Sequence, residues 1–145
     1  MKLEIVYYKS SGGLVPVKDY LSKYRPLAQD KESIQQKKIK SFRRIDFVIS
    51  RATENNGIIG GEYSCSVPAH SFQKIRIKDG GNLVRILYFC YLGERLVLLN
   101  AYDKPDLYDK GAKKKIDKMI NEKMSDAQNY YQDFIKNPQN YEKYQ

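Results

Sequence analysis

The segment Gln73-Lys74-Ile75-Arg76-Ile77-Lys78 alternates cationic and apolar residues. In an extended strand this places Ile75 and Ile77 on one face and Lys74, Arg76 and Lys78 on the other. Side chains two apart on a strand stand about 6.6 to 7 Å from each other. That is near the separation of successive phosphates on a nucleic-acid strand, roughly 3.4 Å of helix axis when stacked and longer when unstacked. A ladder of three cations can therefore track a polyanion, the bland alternative being an outward, solvated strand face. Arg85 weighs against the bland reading, because it is a lone cation inside the otherwise apolar run from Leu83 to Tyr91. A charge in a central strand is costly unless it has a partner or faces a cleft. Either Arg85 pairs with Asp79 or Glu94 as a structural ion pair, or it joins the Lys74 to Lys78 ladder from the neighbouring strand. Further on, Asn100-Ala101-Tyr102-Asp103-Lys104 adds another cation, Lys104, and Tyr102 or Tyr108 offers a ring on which an exposed base can stack.

Other chemistries find little support. The sequence has no HExxH, no CxxC, no glycine-rich phosphate loop before a helix and no specifically spaced carboxylate pair. Two cysteines, Cys65 and Cys90, and one histidine, His70, do not complete a four-ligand zinc site without carboxylates. The thiols read as reduced and structural, His70 as a surface or packing residue, and no metal or other cofactor is expected. Lys113-Lys114-Lys115 reads as a solvated helix face.

The elements that position these residues follow from periodicity. The chain has 145 residues, 41% of them hydrophobic and 30% charged, the balance of one folded domain spanning residues 1 to 145. No apolar stretch approaches the roughly 20 residues that cross a bilayer, and no export signal opens the sequence, so a cytoplasmic protein is expected. The 26 Lys plus Arg against 17 Asp plus Glu give a net charge of +9, which raises the prior for an anionic partner. Leu3 to Tyr8 reads as a strand, and Val15 to Tyr24 as a short helix with Pro16 in its first turn. From Asp30 to about Asn55, Ile34, Phe42, Ile45, Val48, Ile49 and Ala52 recur at helical spacing. Asp30, Glu32 and Ser33 offer capping chemistry, Asn55-Asn56-Gly57 a stop, and the helix would be roughly 40 Å long. Residues 57 to 71 read as an irregular connection. Phe72 to Lys78, Leu83 to Tyr91 and Arg95 to Tyr102 then form an antiparallel meander turned at Asp79 to Asn82 and at Leu92 to Glu94. Residues 111 to 136 form a long amphipathic C-terminal helix, and Asn137 to Gln145 is expected to fray. The fold class is α+β: a small antiparallel sheet, built from the N-terminal strand and the meander, packed with a short and a long N-terminal helix and a C-terminal helix.

The stretch KIRIKDGGNLVRILYFCYLGERLVLLNAYDKP resembles the core of the RelE/ParE superfamily of type II toxin–antitoxin toxins, specifically its phage-derived HigB-like branch. YYKSSGGLVPVKDYL and the long helix after it resemble that branch's N-terminal half. The resemblance covers about residues 2 to 110. It implies a RelE-like fold and a metal-independent, ribosome-dependent endoribonuclease that cleaves mRNA and is silenced by a cognate antitoxin in a hetero-oligomer. It also implies attack of a ribose 2′-hydroxyl on the adjacent phosphate. By position, Lys74, Arg76 and Arg85 match the catalytic cations, with Lys104 near the basic residue after the last strand and the better candidate for the acid. Tyr102 or Tyr108 falls near the aromatic that stacks on RNA, and Lys78 of the ladder joins them as an RNA-binding candidate. Arg76 stands where a lysine is common, and the histidines that some members carry near the last strand are absent. Lys74 serves as base if Arg76 and Lys78 depress its pKa toward neutrality. The alternatives are a non-catalytic, ParE-like DNA gyrase poison, whose members tend to lack the Lys74, Arg76 and Arg85 set, and a degenerate basic binding module.

Overall fold

The computed structural model describes residues 2–54, 64–67 and 70–144. Strand β1 (Glu4–Tyr8) leads into helix α1 (Pro16–Leu21), a 3-10 turn (Ser22–Tyr24) and the long helix α2 (Glu32–Ala52). Strands β2 (Ser64–Ser66), β3 (Gln73–Asp79), β4 (Asn82–Tyr91) and β5 (Arg95–Pro105) follow, then helix α3 (Lys110–Lys136) and strand β6 (Tyr141–Lys143). The α+β class and the order strand, short helix, long helix, meander, helix are as expected.

The sheet is larger than the sequence suggests and not wholly antiparallel. Its six strands run in the order β2-β3-β4-β5-β1-β6. β1 joins β5 in parallel, with Glu4 opposite Arg95 and Tyr7 opposite Leu98, and this corrects the purely antiparallel expectation. Alternation of side chains is the same for both strand directions, so periodicity alone could not distinguish them.

The two faces bury separate cores. On one, Tyr7, Ile75, Ile77, Ile86, Tyr88 and Leu98 pack under α1 and α2, through Val17, Leu21, Ile45 and Ile49. On the other, Val6, Leu87, Phe89, Val97 and Leu99 pack under Ala127 and Phe134 of α3. β5 is covered on both sides, which accounts for its nearly unbroken apolar run. Tyr8 ties the N-terminal strand to α3, its hydroxyl donating to Asp133 Oδ2 at 2.7 Å.

α2 has 21 residues, about 31 Å at the α-helical rise, which is shorter than expected. Only its C-terminal half is anchored: Ile45, Val48, Ile49 and Ala52 are buried, whereas Ile34 is 43% exposed. Asp30 does not cap it; the N-cap position is Lys31, and Asp30 Oδ2 instead accepts from Leu27 N at 2.9 Å and Lys38 Nζ at 2.6 Å. The stop proposed at residues 55 to 57 lies outside the described residues, as does most of the connection 57 to 71, in which β2 nevertheless forms. α3 is capped by Asp109, whose side chain accepts from Ala112 N at 2.9 Å. Asp109→Ala is expected to cost about 1 kcal/mol, readable as a small drop in the thermal unfolding midpoint.

The expectation of a frayed tail does not hold. β6 pairs antiparallel with the outer edge of β1, Tyr8 opposite Tyr141 and Val6 opposite Lys143. Tyr144 donates to Asp46 Oδ1 of α2 at 2.5 Å and its ring lies 5.4 Å from that of Tyr7. The polar composition of this tail hid two aromatic anchors, and β1 supplied an otherwise open strand edge.

Candidate anion-binding site

The register of β3, β4 and β5 assembles the predicted cations on one face, the face of α3. Ile75 and Ile77 point to the α1/α2 core, so Lys74, Arg76 and Lys78 project the other way. Across the strands three rows form. Cys65, Lys74, Leu87 and Asn100 make the first; Arg76, Arg85 and Tyr102 the second; Lys78, Leu83 and Lys104 the third. Arg76 and Arg85 are directly opposed in the register. Strands lie about 4.8 Å apart and alternate residues about 6.8 Å apart along a strand, so these cations occupy a patch of nucleotide dimensions.

A β-bulge decides the membership of this patch. Between β4 and β5 the pairing steps from Leu87 opposite Asn100 to Tyr88 opposite Leu98, leaving Leu99 as the extra residue. Up to that point even-numbered Leu96 and Leu98 face the α1/α2 core; beyond it, odd-numbered Ala101 does. The shift in parity turns Asn100, Tyr102 and Lys104 to the α3 face, a re-aiming typical of bulges beside sites. Asn100 there donates to the carbonyl of Lys123 at 3.0 Å, fixing α3 against the site. Asp103 is turned the opposite way. It accepts from the Tyr20 hydroxyl, from Lys23 Nζ and, at 2.9 Å, from Asn82 Nδ2, pinning the end of β5 to α1 and to the β3–β4 turn.

Burial and neighbouring like charges set the electrostatics of this cationic cluster. Burial pushes the Lys74 amine below the ordinary lysine value; Cys65 acts against this, while Arg85, Arg76 and Lys104 add to it. Lys78 shares this face, but its amine is largely exposed and is engaged by Asp106 at 3.1 Å. Burial likewise lowers Arg85, with the Tyr102 phenol opposing and Arg76 reinforcing the shift. Of the two sequence readings of Arg85, the structural ion pair is formed with neither Glu94 nor Asp79, which takes Ser41 Oγ at 3.0 Å and Arg44 at 3.3 Å. Among the described residues Arg85 makes no salt bridge.

The aromatic alternative resolves as well. Tyr102 is buried, at 4% exposure, and its phenol is raised mainly by burial, so its ring is not open to a base. Tyr108 is 37% exposed on the connection to α3, and Lys104 Nζ lies 6.0 Å from its ring centroid. His70 stacks on Phe72 with ring centroids 4.8 Å apart and hydrogen-bonds Gln128 at 2.9 Å, the arrangement of a packing residue. Cys65, opposite Lys74, and Asn100 were not recognised from sequence as neighbours of the site. Cys65 lies in a stretch that reads as loop, and nothing in the local pattern around Asn100 announces a bulge.

Chemically, such a patch holds an anion whose charge is spread over several oxygens, as on a phosphodiester. Among the described residues no helix is long and apolar enough to cross a membrane. No family model matches this sequence, and no curated protein is similar to it.

Proposed function

We propose that this protein is the toxin of a type II toxin–antitoxin module, a RelE/ParE-like, HigB-like endoribonuclease that cleaves ribosome-bound mRNA in the cytoplasm without a metal. The observation that carries the reading is the convergence of Lys74, Arg76, Arg85 and Lys104 on one face, with a lysine whose pKa is depressed at its margin. A deprotonated Lys74 takes the proton of a ribose 2′-hydroxyl, whose oxygen attacks the adjacent phosphorus. Arg76 and Arg85 hold the charge that builds on the phosphoryl oxygens, the effect that contributes most in reactions of this type. Lys104 gives a proton to the departing 5′-oxygen, and a 2′,3′-cyclic phosphate remains. Tyr108, the exposed ring beside Lys104, takes the stacking role that Tyr102 cannot fill.

Inducing the protein alone should arrest growth and fragment translated mRNA inside coding regions. DNA-damage signalling with intact mRNA would instead support gyrase poisoning, and neither effect would leave a basic binding module. With purified protein on mRNA-programmed ribosomes, kcat/KM should climb with pH while Lys74 loses its proton, because the neutral amine is the active form. The midpoint should fall below the ordinary lysine value of about 10.4, since the shift is downward. Lys74→Arg keeps the charge but is not deprotonated in this range, and should erase that ascending limb; an unchanged profile would remove Lys74 from the role of base.

A further inference from the structure

On the opposite side of the sheet lies a groove of about 530 Å³, between α1 with its 3-10 turn, the middle of α2, and β6. Its floor is apolar: Tyr7, Leu21, Tyr24, Ile39 and Phe42. Tyr7, Leu21 and Tyr24 belong to the α1/α2 core and are 3%, 5% and 9% exposed, so the tyrosines present little open ring face, whereas Ile39 and Phe42 are half-buried and leave apolar surface open to the groove. Just past Pro26 at the groove's edge, Leu27 is 45% exposed.

The rim is predominantly cationic. Among the described residues, Lys18, Arg25, Arg43 and Lys143 surround the floor against one carboxylate, that of Glu142. Glu142 is already engaged, 2.6 Å from Lys18, and that contact holds its carboxyl below the usual range. Among the described residues Arg25, Arg43 and Lys143 take part in no salt bridge.

From these features we infer that this groove receives an acidic amphipathic segment of a partner protein, apolar side chains on the floor and carboxylates against Arg25, Arg43 and Lys143. Apolar anchors at i, i+3 or i+4, and i+7 of a helix would fit a trough between packed helices. The rim charges would speed encounter and select acidic over basic segments. A nucleic-acid strand fits less well, because base stacking needs open aromatic faces and the tyrosines of the floor are buried. The groove and the cationic cluster lie on opposite faces of the sheet, so this inference stands whatever the cluster does.

A display library of random 16-residue peptides, panned on the full-length protein, reads the chemistry of the groove directly. Selected peptides are then labelled with fluorescein and titrated by fluorescence polarisation. Enrichment of Asp and Glu around apolar residues at helical spacing is expected. Affinity should fall at least about tenfold, near 1.4 kcal/mol, in Arg25→Glu/Arg43→Glu, and should weaken with salt. Lys74→Glu/Arg76→Glu should leave it unchanged. Arg25 and Arg43 are exposed, so the double reversal should keep the wild-type thermal transition; Ile39→Glu tests the floor by the same titration. Absence of binders, selection of non-acidic peptides, or binding that survives the Arg25/Arg43 reversal would each overturn the assignment. So would loss of binding on the Lys74/Arg76 reversal, or displacement of the peptides by an oligouridylate, which would make the groove a nucleic-acid surface.

Discussion

Arg85→Ala is expected to lower the rate of mRNA cleavage on programmed ribosomes by about two to three orders of magnitude, the usual effect of deleting one group that stabilises transition-state charge. Folding should barely register the change. Arg85 stands opposite Arg76, burial lowers its pKa, and like charges facing each other across strands are destabilising by a few tenths to about 1 kcal/mol. Losing the guanidinium removes that repulsion along with some packing of its stem, so the net change in stability should stay within about 1 kcal/mol. Arg85→Lys should fall in between, keeping the charge but not the planar fork that engages two phosphoryl oxygens. Single-turnover cleavage and urea denaturation of the same preparations provide the check. A loss of several kcal/mol would place Arg85 in the structural framework, where removing one partner of a buried pair costs roughly 3 to 5 kcal/mol. Full activity in a folded variant would remove the cluster from catalysis.

Ending the chain at Asn137 should destabilise the protein by about 3 kcal/mol. The largest loss is Tyr144, whose hydroxyl donates to Asp46; a hydrogen bond to a charged group contributes about 1.5 to 3 kcal/mol. The second is the half-buried aromatic surface of Tyr141 and Tyr144 against Arg95 and Tyr7, where complete burial of a large side chain would stabilise by about 1.5 to 3 kcal/mol. The Lys18–Glu142 pair is half exposed and adds little. Removing β6 also bares the edge of β1, so the truncated chain should associate at concentrations at which the full chain does not. Chemical denaturation and light scattering read the two consequences, and an unchanged midpoint would mean that the tail is dispensable.

Much of this architecture was legible in the sequence. The strict alternation from Lys74 to Lys78 determined which residues face the core and which face outward, because a strand has no other way to bury Ile75 and Ile77 together. Helical spacing from Ile45 to Ala52 and from Ile116 to Ile135 located both long helices, and the glycines near Asp79 and Glu94 located the turns. Gly80 and Gly93 indeed have φ of +63° and +67°, although Leu92 also takes a left-handed φ of +51°, a conformation a leucine rarely adopts. The pairing of Arg85 with the ladder followed from its distance past the turn.

Other features had no local signature. Whether β1 runs parallel or antiparallel to β5 depends on the path of the chain around α1 and α2. The joining of β6 to β1 depends on which edge is left open. The bulge at Leu99 is a single unpaired residue in an unbroken apolar run, yet it moves Tyr102 and Lys104 to the face of the cations and sends Asp103 to Tyr20 and Lys23. Periodicity counts residues along one strand, whereas register is settled between strands by what each face can bury. The sequence by itself thus determined the elements, the ladder Lys74–Arg76–Lys78 and the charge of the patch. Only the tertiary structure decided that Lys104 belongs to that patch, that Lys78 is diverted to Asp106, and that Tyr108 rather than Tyr102 keeps an exposed ring, because burial and strand offset are properties of packed neighbours.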